Sequence, residues 1–412
     1  MLSRRLLLVP FVLIAFCTVA GAQSKKLDPG AAKKPEAAEK SGKLAGASEK
    51  LAGAPDLDLV MASGFNHLLA GQESVGKSEE NWEWPYEGVY RERGRIPIGY
   101  RVGGTAICAW AMLESSIGLR TDESDAAMER AIRFILAGLE QPKMQPGFNS
   151  TYDVRDWGSI YALNFFLRLD KMGAVPEQHQ EAVKAKIEWL VATLQTNAIP
   201  KTGGWNYSRR AGAGKPSASS PFMTAPAILA LWQAQAQGYE IEQDIIDLAL
   251  KSLVAAQVDS GVYSYTSSGG LGKIPGTIGR SPAVEVVLNM AGLSKPEHLR
   301  TAVDHFLEHW GELEKRRQKT GTHEGDYGIA PYYFYYAHYY AALAIEQLPE
   351  ESREQLRAKY HERLFASMDA ETMTFNDRVF PRSSHFGTAM SLLSLMQPSM
   401  PAPAMLLNPK SR

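Results

Sequence analysis

Residues 222–238 read FMTAPAILALWQAQAQG and residues 241–257 read IEQDIIDLALKSLVAAQ. Both have helical length and rhythm, but they differ in kind. The second is charged on one face. The first is small and apolar nearly all round, so it must be buried on every side. The same two kinds alternate along the chain. The charged-face kind occupies 56–70, 122–139, 176–196, 241–257, 295–318 and 350–370. The all-apolar kind occupies 101–116, 153–172, 222–238, 280–293, 330–348 and 384–396. Six helices that need covering and six that can cover them predict an all-α fold, an (α/α)6 toroid with six inner and six outer helices. An open solenoid of helix pairs is the alternative. Alternating strand patterns are almost absent.

The flanks differ from this core. Arg4 and Arg5 precede a mainly apolar run over 6–19, and Ala20-Gly21-Ala22 offers small residues for cleavage. Residues 1–22 are therefore expected to be a secretion signal, too short for a comfortable membrane span. Sec export is the main expectation and the twin-arginine route the alternative. Residues 23–55 hold no aromatic and few large apolar side chains. They cannot offset the entropy of ordering and are expected to be a disordered tether. The toroid is expected over 56–398 and a flexible tail over 399–412.

The chain of 412 residues carries a formal charge of −1, with 45% apolar and 22% charged residues. That balance excludes the clustered basic surface of a nucleic-acid or anionic-membrane binder. Removal of the signal leaves a single cysteine, Cys108, in an apolar run, which excludes an intramolecular disulfide. It reads as a small core hydrophobe. No His/Cys spacing resembles a zinc site, so no metal or cofactor is expected. The protein is expected to be an exported monomer, periplasmic or extracellular, with no transmembrane segment once the signal is gone.

The loops repeat too. Gln141 precedes Gly147-Phe148, Gln195 precedes Gly203-Gly204-Trp205, and Gln257 precedes Gly261-Val262-Tyr263. Glycine permits the turn that ends a helix. The aromatic packs across helix ends, and the Gln amide is expected to satisfy orphan carbonyls there. The repeat thus reads as a structural staple. These residues resemble the QW-type repeats of squalene-hopene cyclases and the related prenyltransferase and squalene oxidase repeats. Gly104-Thr105-Ala106, Phe222-Met223-Thr224-Ala225 and residues 387–395 are similar to inner-helix segments of those proteins. The resemblance spans roughly 56–398 and implies the toroid fold of terpenoid cyclases and protein prenyltransferases. It does not extend to their chemistry. The Asp-x-Asp-Asp acid of class II cyclases is missing, and Cys108 has no acid placed for zinc. Neither squalene cyclisation nor zinc-dependent prenyl transfer is expected.

In such a ring the inner helices run parallel, so their N-termini and the positive ends of their dipoles gather at one mouth. Polar residues near those starts are the candidate ligand-binding groups: Arg101, Asp153, Asp156, Trp157, Arg280, Glu285 and His385, with Asp326 and His323 nearby. Structural caps and ion pairs are the competing reading for each. Asp156 and Glu285 stand out, because a carboxylate in an apolar helix is costly unless paired or functional. Residues 331–340 are unusually aromatic. Tyr332, Tyr335, Tyr336 and Tyr339 are expected on one face, as a ligand wall or as core. Asp156, Glu285 and His338 are the candidate catalytic groups. The function expected first is binding of a small molecule, glycan or partner at a polar barrel mouth. The alternatives are an enzyme on an isoprenoid-like substrate and a secreted glycosidase or lyase.

Overall fold

The computed structural model describes residues 55–74, 82–115, 119–148, 154–207, 212 and 214–404. The expected signal, the tether up to residue 54 and the tail from residue 405 lie outside them. The charged-face segments form the outer helices α1 (Leu57–Ala70), α3 (Asp122–Leu139), α5 (Gln180–Asn197), α7 (Gln243–Ala255), α9 (Pro296–Glu314) and α11 (Glu350–Ala366). The all-apolar segments form the inner helices α2 (Ile98–Ser115), α4 (Arg155–Lys171), α6 (Pro221–Ala236), α8 (Ser281–Met290), α10 (Tyr333–Gln347) and α12 (Ser383–Leu395). Among the described residues, strands are confined to two short ribbons: β1 (Glu73–Ser74) with β2 (Trp82–Glu83), and β3 (Gln257–Asp259) with β4 (Val262–Tyr263).

Each inner helix packs on the next, α2 on α4, then α6, α8, α10 and α12, and α12 packs back on α2. That last contact closes the ring and excludes the open solenoid. The protein is an (α/α)6 toroid. Burial follows the two helix types. Every residue of α2 from Val102 to Ser115 is buried. Along α3 the buried positions recur as Ala127, Ala131, Ile132, Phe134, Ile135, Gly138 and Leu139, one stripe at helical spacing. Thr121 starts α3 with a reciprocal cap: its hydroxyl accepts from Ser124 N, and Ser124 Oγ accepts from Thr121 N.

The staple has a physical form that the sequence only hinted at. The backbone N–H groups of Trp84, Trp205 and Phe375 each donate to an inner-helix threonine, Thr105, Thr224 and Thr388, at 3.0 Å. Gly104 and Gly387 make room, since a Cβ there would lie 2.5 Å from the Trp84 carbonyl oxygen and 2.4 Å from that of Phe375. The indoles of Trp84 and Trp205 then donate to Leu68 O (2.7 Å) and Leu194 O (2.9 Å), in the last turns of α1 and α5. The Trp205 indole, rather than Gln195, therefore reaches the last-turn carbonyl of α5, and the Trp84 indole shares Leu68 O with the Gly71 N–H. Gln195 instead reaches the next connection, at Glu240 O and Glu242 N, and Gln72 reaches α3 at Ala127 O. Trp205 is fully buried. Trp205→Ala should cost about 3 kcal/mol or more in urea denaturation. Unchanged stability would remove the staple as a source of ring cohesion.

Tyrosines fill the middle of the barrel. Tyr336 and Tyr340 lie 4.6 Å apart between ring centroids, and Tyr161 borders a pocket at each end. One end is bordered by Met400, Pro401 and Pro403, so residues expected to be free tail lie against the ring. Among the described residues no helix is long and apolar enough to cross a membrane.

Candidate functional site

At the opposite end the inner-helix starts converge, as their parallel run requires. Tyr100 comes from α2, Val154 and Trp157 from the start of α4, Phe222 and Met223 from α6, Tyr332 and Tyr336 from α10, and Phe386 from α12. With Tyr86 and Tyr207 from the preceding loops they line a pocket of about 550 Å³ of empty space, its open mouth included.

The pocket has two aromatic banks. On one, Trp157 meets Tyr100 edge-on at 5.5 Å and Tyr86 at 5.7 Å, and Tyr86 packs on Phe386 at 4.4 Å. On the other, Phe222 lies 5.8 Å from Tyr332 and 5.0 Å from Tyr336. Hydroxyls edge the second bank. Tyr332 Oη lies 2.8 Å from Tyr207 Oη and 3.0 Å from Tyr265 Oη, and Tyr207 and Tyr265 also hydrogen-bond each other. His323 packs edge-on against Tyr265 at 4.8 Å, and burial lowers its pKa.

Behind the first bank lie two buried, oppositely charged residues that the sequence reading missed, bridged by the Tyr86 hydroxyl. Arg378 Nε donates to Tyr86 Oη at 3.0 Å, and Tyr86 Oη donates to Asp377 Oδ2 at 3.0 Å. Burial raises the Asp377 carboxyl to about 6 against the opposing pull of Arg378 and Tyr86. Both residues sit in an irregular loop before α12, where no periodicity marks them. The one available signal was an adjacent Asp-Arg pair in a chain with few buried charges.

The sequence candidates are placed differently from the expected polar mouth. Trp157 lines the pocket. Arg101 turns to the outer layer, pairing with Glu83 at 2.8 Å beside the Phe134 ring. Asp153 lies outside the described residues. Asp156 is buried and accepts from Asn197 Nδ2 at 2.7 Å, at the end of α5. Glu285 is fully buried, accepting from Tyr263 Oη and Ser294 Oγ at 2.5 Å each. Arg280 is fully buried and donates to the carbonyls of Tyr263, Ser264, Gly276 and Leu271.

His338 accepts from Trp310 Nε1 at 2.9 Å, and its Nδ1 lies 2.8 Å from Phe334 O. Burial lowers its pKa to about 3. It is a core histidine joining α9 to α10, and it does not face the pocket. Tyr335 leaves the expected face, donating to Ser367 Oγ at 3.3 Å, while Tyr332 and Tyr336 face the pocket. His385 packs on His67 at 4.9 Å, in the seam between α12 and α1. Aromatic rings, with charges one layer behind, thus make the mouth. Among the described residues no group of three or more His, Cys, Asp or Glu side chains could hold a metal.

No protein-family profile matches the chain, and no curated protein does. Solved structures do. The Lin0763 protein of Listeria innocua matches at 12% identity and TM-score 0.52, over 82% of this chain and 97% of that one. The α-1,6-mannanase of Salegentibacter sp. HEL1_6 matches at 12% identity and TM-score 0.51, over 82% and 98%. A mutant of a reducing-end-xylose-releasing exo-oligoxylanase matches at 11% identity and TM-score 0.51, over 86% and 96%. An inactive variant of the mannanase, with two consecutive aspartates replaced, is in complex with α-1,6-mannotetrose. This chain has no two consecutive aspartates. At such identities the likeness establishes the (α/α)6 toroid, and it does not carry the chain into the terpenoid cyclases or protein prenyltransferases.

Proposed function

We propose that the protein is an exported carbohydrate-binding or carbohydrate-active toroid whose aromatic pocket holds a sugar unit. The observation that carries this reading is the pocket itself: two aromatic banks with a row of tyrosine hydroxyls along one edge. Sugars present C–H faces that pack on aromatic rings and hydroxyls that need hydrogen-bond partners. The mannanase and exo-oligoxylanase named above act on sugars by their names and share the toroid, which favours a saccharide on this scaffold. Hydrolysis by two flanking carboxylates is the less supported chemistry. Among the described residues no carboxylate lines the pocket, and Asp377 stands behind Tyr86.

The test is calorimetric titration of the mature protein with a panel of oligosaccharides. At least one should bind, and Trp157→Ala should weaken it tenfold or more with the circular dichroism unchanged. A second reading comes from Phe222, Met223 and Phe386, which suit an apolar, isoprenoid-like ligand such as the cyclase resemblance implies. Recovery of a prenyl lipid from the purified protein, with no sugar bound, would favour that reading and defeat the first.

A further inference from the structure

The pocket is walled all round by described residues and opens only along the barrel axis. Tyr100, Trp157, Phe222, Tyr332 and Phe386 stand at the starts of five successive-to-neighbouring inner helices, α2, α4, α6, α10 and α12. Tyr86 ties α12 to α2, with its ring 4.4 Å from Phe386 and 5.5 Å from Tyr100. Among the described residues α8 adds no side chain to the lining. In that interval the hydroxyls of Tyr207, Tyr265 and Tyr332 bond to one another and bridge from the α6 side to α10.

The pocket also has a floor. A helix rises 1.5 Å per residue, so Tyr336 lies about 6 Å deeper than Tyr332, and Tyr161 about 6 Å deeper than Trp157. Tyr336 is 6% exposed and Tyr161 2%. The Tyr336 ring packs 4.6 Å from that of Tyr340, and Tyr340 and Tyr161 border the pocket at the other end of the barrel. Tyrosine rings therefore separate the two ends, and a chain that enters at this mouth does not pass through.

A blind pocket sorts chain ends from chain interiors. An internal sugar unit has a neighbour on each side, and both neighbours would have to leave by the one mouth. A terminal unit has a single neighbour, which points out along the axis. Among the described residues no charged side chain lines the walls, and aromatic surroundings disfavour an ionised group. At the floor, Tyr336 Oη is buried and has no hydrogen-bond partner within the protein, which is uncommon for a buried hydroxyl. A phenol can both donate and accept, as a sugar hydroxyl can.

We propose that the pocket recognises the end of a neutral saccharide chain. The terminal unit enters along the barrel axis between the two aromatic banks and sets a hydroxyl at Tyr336 Oη. This rests on the sugar-site reading and adds to it the part of the chain that is bound.

The experiment counts protein molecules per saccharide chain, by calorimetry on the unaltered mature protein. The probes are linear mannan, xylan and amylose, each as a tetrasaccharide and as a long soluble polymer. For a kind that binds, both forms should saturate at one protein per chain, so binding capacity per gram should fall in proportion to chain length. Saturation at several proteins along each polymer chain would overturn end-on entry while leaving the sugar site intact. Binding to none of the three kinds would overturn both. Tyr336→Phe removes no hydrogen bond within the protein. It should stay folded and bind the tetrasaccharide about fivefold or more weakly, as expected for one lost hydrogen bond. Unchanged affinity in that variant would overturn the seating of the terminal unit at the floor.

Discussion

Arg280→Met should destabilise the protein by about 4 kcal/mol or more, among the largest effects expected of one substitution. The guanidinium accepts nothing and donates to the carbonyls of Tyr263 (2.8 Å), Ser264 (2.9 Å), Gly276 (3.0 Å) and Leu271. It thereby gathers the long connection between β4 and α8 around one side chain. Methionine fills much of the volume but leaves those buried oxygens without donors, and each such oxygen costs roughly 1–3 kcal/mol. Arg280→Lys should rescue little, because a single ammonium cannot span acceptors arranged around a planar fork. Chemical denaturation of the three proteins decides it. A Met variant of near-native stability that has lost ligand affinity would return Arg280 to the binding role that its sequence position suggests.

The second large effect is a loss of stability in acid, traceable to His338. Its ordinary pKa of 6.5 falls to about 3 in the folded ring because the neutral imidazole is buried, with Trp310 donating to Nε2 and Phe334 O beside Nδ1. The unfolded chain therefore takes up this proton near pH 6.5, and the folded chain resists it until about pH 3. The stabilisation is complete above pH 6.5 and disappears progressively as pH falls toward 3. Between pH 8 and pH 5 this one group should remove about 2 kcal/mol. His385, lowered to about 4 by burial, acts in the same sense. Asp377, raised to about 6, acts in the opposite sense, since its protonated form is favoured by the fold and stability is lost as pH rises through 6. The effect of His338 is therefore read as a difference. His338→Gln should flatten the pH dependence of unfolding free energy by about 2 kcal/mol over that interval. An unchanged slope would mean that the imidazole is not held neutral by this packing.

Both effects concern side chains whose importance the sequence marked and whose roles it did not. Arg280 is a sequence candidate at the start of an apolar segment and His338 a candidate within another; the structure places Arg280 at the N-cap of α8 and His338 inside α10. Their partners lie on other segments: Trp310 on α9 for His338, and a loop folded back over the helix start for Arg280. Asp377 and Arg378 drew no notice, because a loop has no periodicity against which a buried charge stands out.

What the sequence by itself determined is the two-layer pairing of helices; their closure into a ring is seen in the packing of α12 on α2. Alternating amphipathic and all-apolar helices must become cover and core, since each apolar face needs a partner and each polar face needs water. The threonines and glycines of Gly104-Thr105, Thr224 and Gly387-Thr388 are legible for a related reason: they serve a close backbone approach repeated around the ring. Only the tertiary structure decided the pocket. An outer helix states its own rotation, because its charged side faces water. An inner helix buried on all sides carries no such direction. Nothing in residues 332–340 alone says that Tyr332 and Tyr336 look into the barrel while Tyr335 looks toward Ser367. That rotation is set by the packing of neighbours far apart in the chain, as is the contact of Tyr86 with Phe386 at 4.4 Å along one bank of the mouth.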